Sequence, residues 1–143
     1  MAITQGMATS FKVQLLTGGQ NFSSNTFKIA LYTSTANLGE STTAYSATNE
    51  VASTGNYTAG GNTLVVSVAP TSTGNVAFLS FANTTWANAT ITANGALIYN
   101  NTNGNSAVAV LAFGGDKTST NGTFAINFPT ADSTSAIIRL TAS

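Results

Sequence analysis

Period-two alternation of apolar and polar side chains constrains this chain more than any other feature. Phe27, Ile29 and Leu31 alternate with Lys28, Ala30 and Tyr32, the pattern of a strand with one face in a core. Leu64, Val66 and Val68 repeat it, as do Phe124, Ile126 and Phe128. Phe78 with Leu79–Phe81, and Ile138 with Leu140, repeat it more briefly. Two runs, Ala96–Tyr99 and Ala107–Phe113, are almost continuously apolar, which predicts central strands covered on both faces. β-Branched and aromatic residues dominate these segments, as a pleated, half-buried surface favours.

Turn chemistry separates the segments. Asn101-Thr102-Asn103-Gly104-Asn105 predicts a hairpin loop between the two apolar runs. Gly114-Gly115-Asp116 through Asn121-Gly122 predicts a second, longer one. Gly60-Gly61-Asn62 and Thr73-Gly74-Asn75 bracket the Leu64–Val68 strand. This rhythm predicts an all-β domain, an antiparallel β-sandwich or barrel-like fold. One helix is expected within residues 4–19, with Thr9 or Ser10 as its cap and Gly18-Gly19 as its stop. Met7, Phe11 and Leu15 recur on one face of it. From Thr33 to Gly61 the only large apolar residues are Leu38, Tyr45, Val51 and Tyr57, which predicts a long irregular loop, a feature that is often functional. The whole chain, 1–143, reads as one domain, with 1–20 as an N-terminal arm or helix.

Composition narrows the chemistry. The chain has no cysteine and no histidine, and four basic residues balance four acidic ones. Most enzyme chemistry near neutral pH needs a group that titrates there, usually histidine. Serine or cysteine triads and histidine- or thiolate-bound metals are therefore excluded, and no catalytic, cofactor-binding or metal-ligating residue is expected. A net charge of +0, with Lys12, Lys28, Lys117 and Arg139 scattered, argues against nucleic-acid binding. Neutral surfaces also self-associate readily, which suits a subunit of an assembly. No apolar run approaches the roughly 20 residues of a membrane-spanning helix. Met1–Gly6 lacks the basic and hydrophobic regions of a signal peptide.

The acids Glu40, Glu50, Asp116 and Asp132 all fall in expected loops, and nothing in the sequence pairs two of them for glycoside hydrolysis. Glu50 is the least routine; it is expected to cap backbone amides, or to pair with Arg139 or a lysine. Trp86 is expected in the core. Alternatively Trp86, Tyr45 or Tyr57 stacks on a sugar or anchors an interface, where aromatics are enriched.

Several strings are similar to a known family. They are Phe27-Lys28-Ile29-Ala30-Leu31-Tyr32-Thr33, Thr42-Thr43-Ala44-Tyr45, Asn49-Glu50-Val51, Gly55-Asn56-Tyr57-Thr58-Ala59-Gly60-Gly61, Gly95–Asn100, Ala107–Lys117 and Ala136–Leu140. Across about Phe11 to Leu140 the chain resembles small structural proteins of tailed bacteriophages, some of which look like capsid decoration or cement proteins. The resemblance implies a non-enzymatic virion component, assembled in the host cytoplasm and displayed on the outer surface of the head. It implies a homotrimer whose partner is the major capsid protein, and brings no active-site residues with it. A tail or fibre component that recognises a host glycan is the alternative. The contact surfaces expected on this reading are Ile3, Met7 and Phe11 in the N-terminal segment, Leu38, Tyr45 and Tyr57 in the long loop, and Trp86.

Overall fold

A computed structural model describes residues 2–141. In chain order the elements are β1 (Gly6–Met7), α1 (Thr9–Thr17), β2 (Phe27–Tyr32), β3 (Asn62–Thr63), β4 (Val66–Thr73), β5 (Val76–Phe81), β6 (Thr84–Asn100), β7 (Ser106–Ile126) and β8 (Ile138–Leu140). They form a five-stranded sheet, β1-β7-β6-β2-β3, and a three-stranded sheet, β4-β5-β8. Neighbouring strands in both sheets run antiparallel. The fold is all-β and sandwich-like with one short helix, as the alternation predicts.

The ribbon of β6 and β7 is the frame. It starts at the turn Asn101–Asn105, where Gly104 and Asn105 take φ values of 61° and 57°. Asn100 faces Ser106 at that end and Thr84 faces Ile126 at the other. Residues 95–100 and 106–110 are all buried, so the two continuous apolar runs are central strands. β2 pairs with this half of β6, from Phe27 opposite Asn100 to Tyr32 opposite Gly95.

The second predicted hairpin loop, Gly114 to Gly122, is instead part of β7. Thr118 faces Thr92, Ser119 faces Ile91 and Gly122 faces Ala89. The positive φ values of Gly114 (76°), Gly115 (148°) and Asn121 (46°) fall at irregularities in the pairing, and the strand continues through them without a hairpin reversal. Between the pairs Ala93–Lys117 and Gly95–Ala112, β6 advances two residues and β7 five. That mismatch bends the ribbon. The rings of Phe113 and Phe124 lie 6.4 Å apart, whereas a straight strand would separate these positions by about 36 Å. The outer half of β6, Thr84–Ala93, carries no strong alternation in sequence because Ala89 and Ala93 take two of its inward positions, beside Trp86 and Ile91.

The helix runs Thr9–Thr17, inside the expected bounds, but Met7 is not on it: Gly6–Met7 is a short strand against Val110 and Ala109. Ala8 occupies the N-cap without a side-chain bond, so neither Thr9 nor Ser10 caps it. The stop is as expected: Gly18, at φ 80°, is left-handed and its N–H donates to the Gln14 carbonyl. Phe11 is fully buried and Leu15 half-buried, which fastens the helix to the core. The predicted Leu64–Val68 strand begins as the isolated bond from Leu64 N–H to Phe27 O and continues as β4 to Thr73.

Phenylalanines join the layers. Phe22 stacks on Phe27 of β2 at 4.4 Å and 7°, and Phe11 of the helix meets Phe22 edge-on at 6.0 Å. Phe81 of β5 contacts Phe27 at 6.1 Å and Phe128, beyond β7, at 5.8 Å. Such offset and edge-on contacts add to plain burial, about 0.5–1.5 kcal/mol per pair.

One buried polar network ties the helix end to the ribbon. Asn100 is fully buried; its amide nitrogen donates to Gln20 Oε1 and to Asn25 Oδ1, both at 2.8 Å. Its oxygen accepts from the N–H groups of Thr102 and Asn103, both at 3.0 Å. Gln20 in turn donates to Gln14 Oε1 at 2.7 Å and Ser106 Oγ at 3.1 Å. Every hydrogen-bonding position of Asn100 is filled. Asn100→Ala strips those partners, and the expected cost is roughly 2–3 kcal/mol. A urea midpoint and faster hydrogen exchange at Thr102 and Asn103 would report it.

Candidate functional site

No strand forms between Tyr32 and Asn62, so the long loop exists within the expected bounds, 33–61. It is nonetheless tied down. Val51 N–H donates to Leu31 O at 2.9 Å, Thr33 N–H to Asn49 O at 3.0 Å, and Tyr45 N–H to Asn105 O at 2.9 Å. Asn49, at φ 62°, makes the turn that brings Glu50 opposite Tyr32.

Glu50 is the centre of the loop. Its Oε1 accepts from the Tyr45 hydroxyl at 2.6 Å, and its Oε2 accepts from the Tyr57 hydroxyl at 2.7 Å and the Gly60 N–H at 2.6 Å. The Tyr57 oxygen accepts the N–H of Leu31 at 2.8 Å, and the Tyr99 hydroxyl donates to Gly60 O at 2.7 Å. The Tyr45 ring stacks on Tyr99 at 4.7 Å, and the Tyr32 hydroxyl donates to Ser46 O at 2.7 Å. All four tyrosines of the chain thus surround one half-buried carboxylate. Capping of a backbone amide by Glu50 is as expected. Arg139, offered as a possible partner, is exposed on β8 opposite Phe78. A glycine completes the seat. Gly61 (φ 75°) lies so close to β2 that a β-carbon there would collide with the Ile29 carbonyl.

The cluster holds protons firmly. Burial, reinforced by the Glu50 charge, pushes the Tyr99 hydroxyl up to about 12. Burial likewise raises Tyr57, Tyr45 and Tyr32 far above the ordinary tyrosine range, and the nearby Glu50 charge adds to each. Near neutral pH these hydroxyls are therefore donors, and the arrangement acts as a lock that closes the loop onto β2 and β6.

The other acids have separate settings. Asp116 accepts from the Asn94 amide at 3.0 Å. Asp132 caps a turn by accepting from Thr134 N–H at 2.9 Å and Ser135 N–H at 2.7 Å, and these bonds hold its carboxyl below the usual range. Glu40 is exposed, with its Cγ over Gly6. Among the described residues no three His, Cys, Asp or Glu side chains gather into a metal site, and no helix is long and apolar enough to cross a membrane.

The residues expected at an interface fall into two groups. Phe11 is fully buried, Tyr57 is 2% exposed and Trp86 5%, so all three are core. They offer no free surface within one chain, because each fills a site in the sandwich or under the loop. Trp86 sits between Tyr57 and Phe124 and has no open face for a sugar. Ile3, Met7, Leu38 and Tyr45 are half-buried against the core. Ile3 bridges to Leu38, and its side chain lies over Gly95. Leu38 lines an uncharged cavity of about 530 Å³ in the loop. The exposed large apolar residues are Val13 (56%), Leu16 (89%), Val65 (65%) and Leu140 (46%); Leu140, which the alternation with Ile138 predicts as core-facing, is in solvent. Val13 and Leu16 lie one turn apart on α1, opposite Phe11, a spacing that was open to inspection. No family model, curated protein or solved structure matches this chain.

Two outcomes are expected. Glu50→Ala leaves the Gly60 N–H and two hydroxyls without their acceptor, and should lower stability by roughly 2–3 kcal/mol in a denaturant titration. In alkali, the native state holds the Tyr99 proton more tightly than the unfolded chain does, whose tyrosine value is about 10. The stabilisation is complete below pH 10 and is lost as pH rises towards about 12. Tyrosinate absorbance should therefore rise together with unfolding, not ahead of it.

Proposed function

We propose that the chain is a structural protein of a tailed-bacteriophage virion, a capsid decoration protein. On this reading it binds the major capsid protein on the outside of the head as a homotrimer and stiffens the shell against internal DNA pressure. One observation carries the reading: a helix that is apolar on both sides but covered on only one. Phe11 is fully buried while Val13 and Leu16 stand in solvent. Val13 and Leu16 stand together on the face away from the core, and apolar side chains grouped in solvent mark a place for a partner. A sandwich with four basic and four acidic residues has little charge to keep its copies apart. The similarity of the strings from Phe27 to Leu140 to phage virion proteins supplies the kind of assembly. A shell subunit gains strength by repetition, so weak contacts of this sort suffice when hundreds act together. Of the rings offered to a glycan-binding fibre, Trp86 and Tyr57 are in the core, which leaves the half-buried Tyr45.

The test is on particles. Heads stripped of this protein should burst at lower temperature or milder osmotic shock than intact heads, and re-addition should restore resistance. Particles unchanged by stripping, with the protein at the tail tip in few copies, would defeat the reading.

A further inference from the structure

The two edges of the outer β6–β7 ribbon are finished differently. Along β6 the loop closes the edge. Asn62 Nδ2 donates to Thr85 O at 3.0 Å, Asn56 Nδ2 to Ala87 O at 3.3 Å and Asn88 O at 2.9 Å, and Thr90 N–H to Gly55 O at 2.9 Å. Along β7, β1 covers Ala109 and Val110, and Gln5 Oε1 then accepts the Ala112 N–H at 3.2 Å. Past that side chain the covering stops. Among the described residues, the strand pairing and side-chain bonds of Phe113–Ile126 run to β6. The outward amides and carbonyls of this edge have no strand to meet.

Beside that edge, in the bend of β7, lies a groove of about 530 Å³. Leu111, Phe113, Phe124, Ile126, Phe128 and Ile137 line it beside polar side chains such as Gln5 and Thr123, and Lys117 is its one charged residue. Large apolar side chains take much of its lining in a chain otherwise rich in hydroxyls and amides. Chain composition alone therefore does not account for it.

We propose that this edge and groove form a strand-addition site for an extended, essentially uncharged segment of another protein. The occupant follows from three features. An open ladder is satisfied by another extended backbone, whereas a helix or a sugar leaves its groups to water. The site continues the interface that β1 already makes on the same edge, immediately beyond the Gln5 cap. The lining selects alternating apolar side chains, with room for one carboxylate at Lys117. The inference goes beyond the virion reading and does not need it, since it stands on the strand edge alone.

A library of random peptides panned on the full chain provides the probe. Selected peptides should alternate apolar with polar residues. On titration they should shift the Thr123–Ile126 amides and slow their hydrogen exchange. Phe113→Asp should weaken binding at least tenfold with the amide spectrum otherwise retained, while Val13→Asp on the helix should not change it. Should Phe113→Asp fail to fold, Lys117→Glu serves instead; it should weaken peptides that carry a carboxylate and spare those without one. Failure to select any peptide, or binding that leaves Thr123–Ile126 unmoved, overturns the proposal. Concentration-dependent shifts of the same amides without peptide would assign the groove to a second copy of the chain and overturn it equally.

Discussion

The register of β6 against β7 is the constraint on which the rest of the structure depends. Side chains in a strand alternate faces, so a slip of one residue would exchange buried and exposed side chains in the outer half of the ribbon and swap the two covered faces in the inner half. The pairs Leu97–Val110 and Ile98–Ala109 set the inner half, and Trp86–Phe124 sets the outer half. Each half then positions a different part of the chain. The inner half receives β2 on one side and β1 on the other. The outer half holds Phe124 under Trp86, and Trp86 under Tyr57 of the loop. Burying a side chain such as Leu97 or Ile98 contributes roughly 1.5–3 kcal/mol, and the ribbon supplies a row of them.

The loop solves a separate problem. Twenty-odd residues without a ladder carry backbone groups that need partners, and a chain so poor in charge has few strong acceptors. Glu50 serves three donors at once, and the tyrosines that reach it come from the loop itself. Tyr99 of β6 binds the carbonyl of Gly60, whose N–H goes to Glu50, so loop and sheet share one set of bonds. Charge-assisted bonds of this kind are about twice as strong as neutral ones. The loop is irregular in shape yet firmly held.

Much of this was legible beforehand. The period-two runs locate β2, β4, β5, β8 and the far end of β7, but burial does not follow the alternation everywhere: Ala30 and Tyr32 put both faces of β2 in the core, and Leu140 of β8 is exposed because no layer covers it. The turn at Asn101–Asn105 and the stop at Gly18 were legible because both need a positive φ, which Gly and Asn adopt most easily. The bulges of β7 were not, since Gly114, Gly115 and Asn121 look the same in a bulge as in a hairpin. The difference is the pairing partner that β6 offers along its outer half, not a local preference. In the same way Tyr45, Glu50 and Tyr57 were each singled out, but only the fold brings them within one hydrogen-bonded cluster. Trp86 is in the core as expected, whereas Phe11 and Tyr57 were offered as contact surfaces because the sequence shows apolar residues in an arm or loop without showing what lies over them.

The placement of the ribbon late in the chain bears on how the molecule is made. A ribosome delivers β1, α1 and β2 before the strands they lean on exist. β1 needs Ala109 and Val110, and β2 needs Gly95–Asn100. The hairpin around Asn101–Asn105, by contrast, closes between near neighbours and can zip outward from its own turn. Synthesis therefore runs from the dependent parts towards the independent one. The early segments stay unsettled until the ribbon emerges, and then assemble onto it.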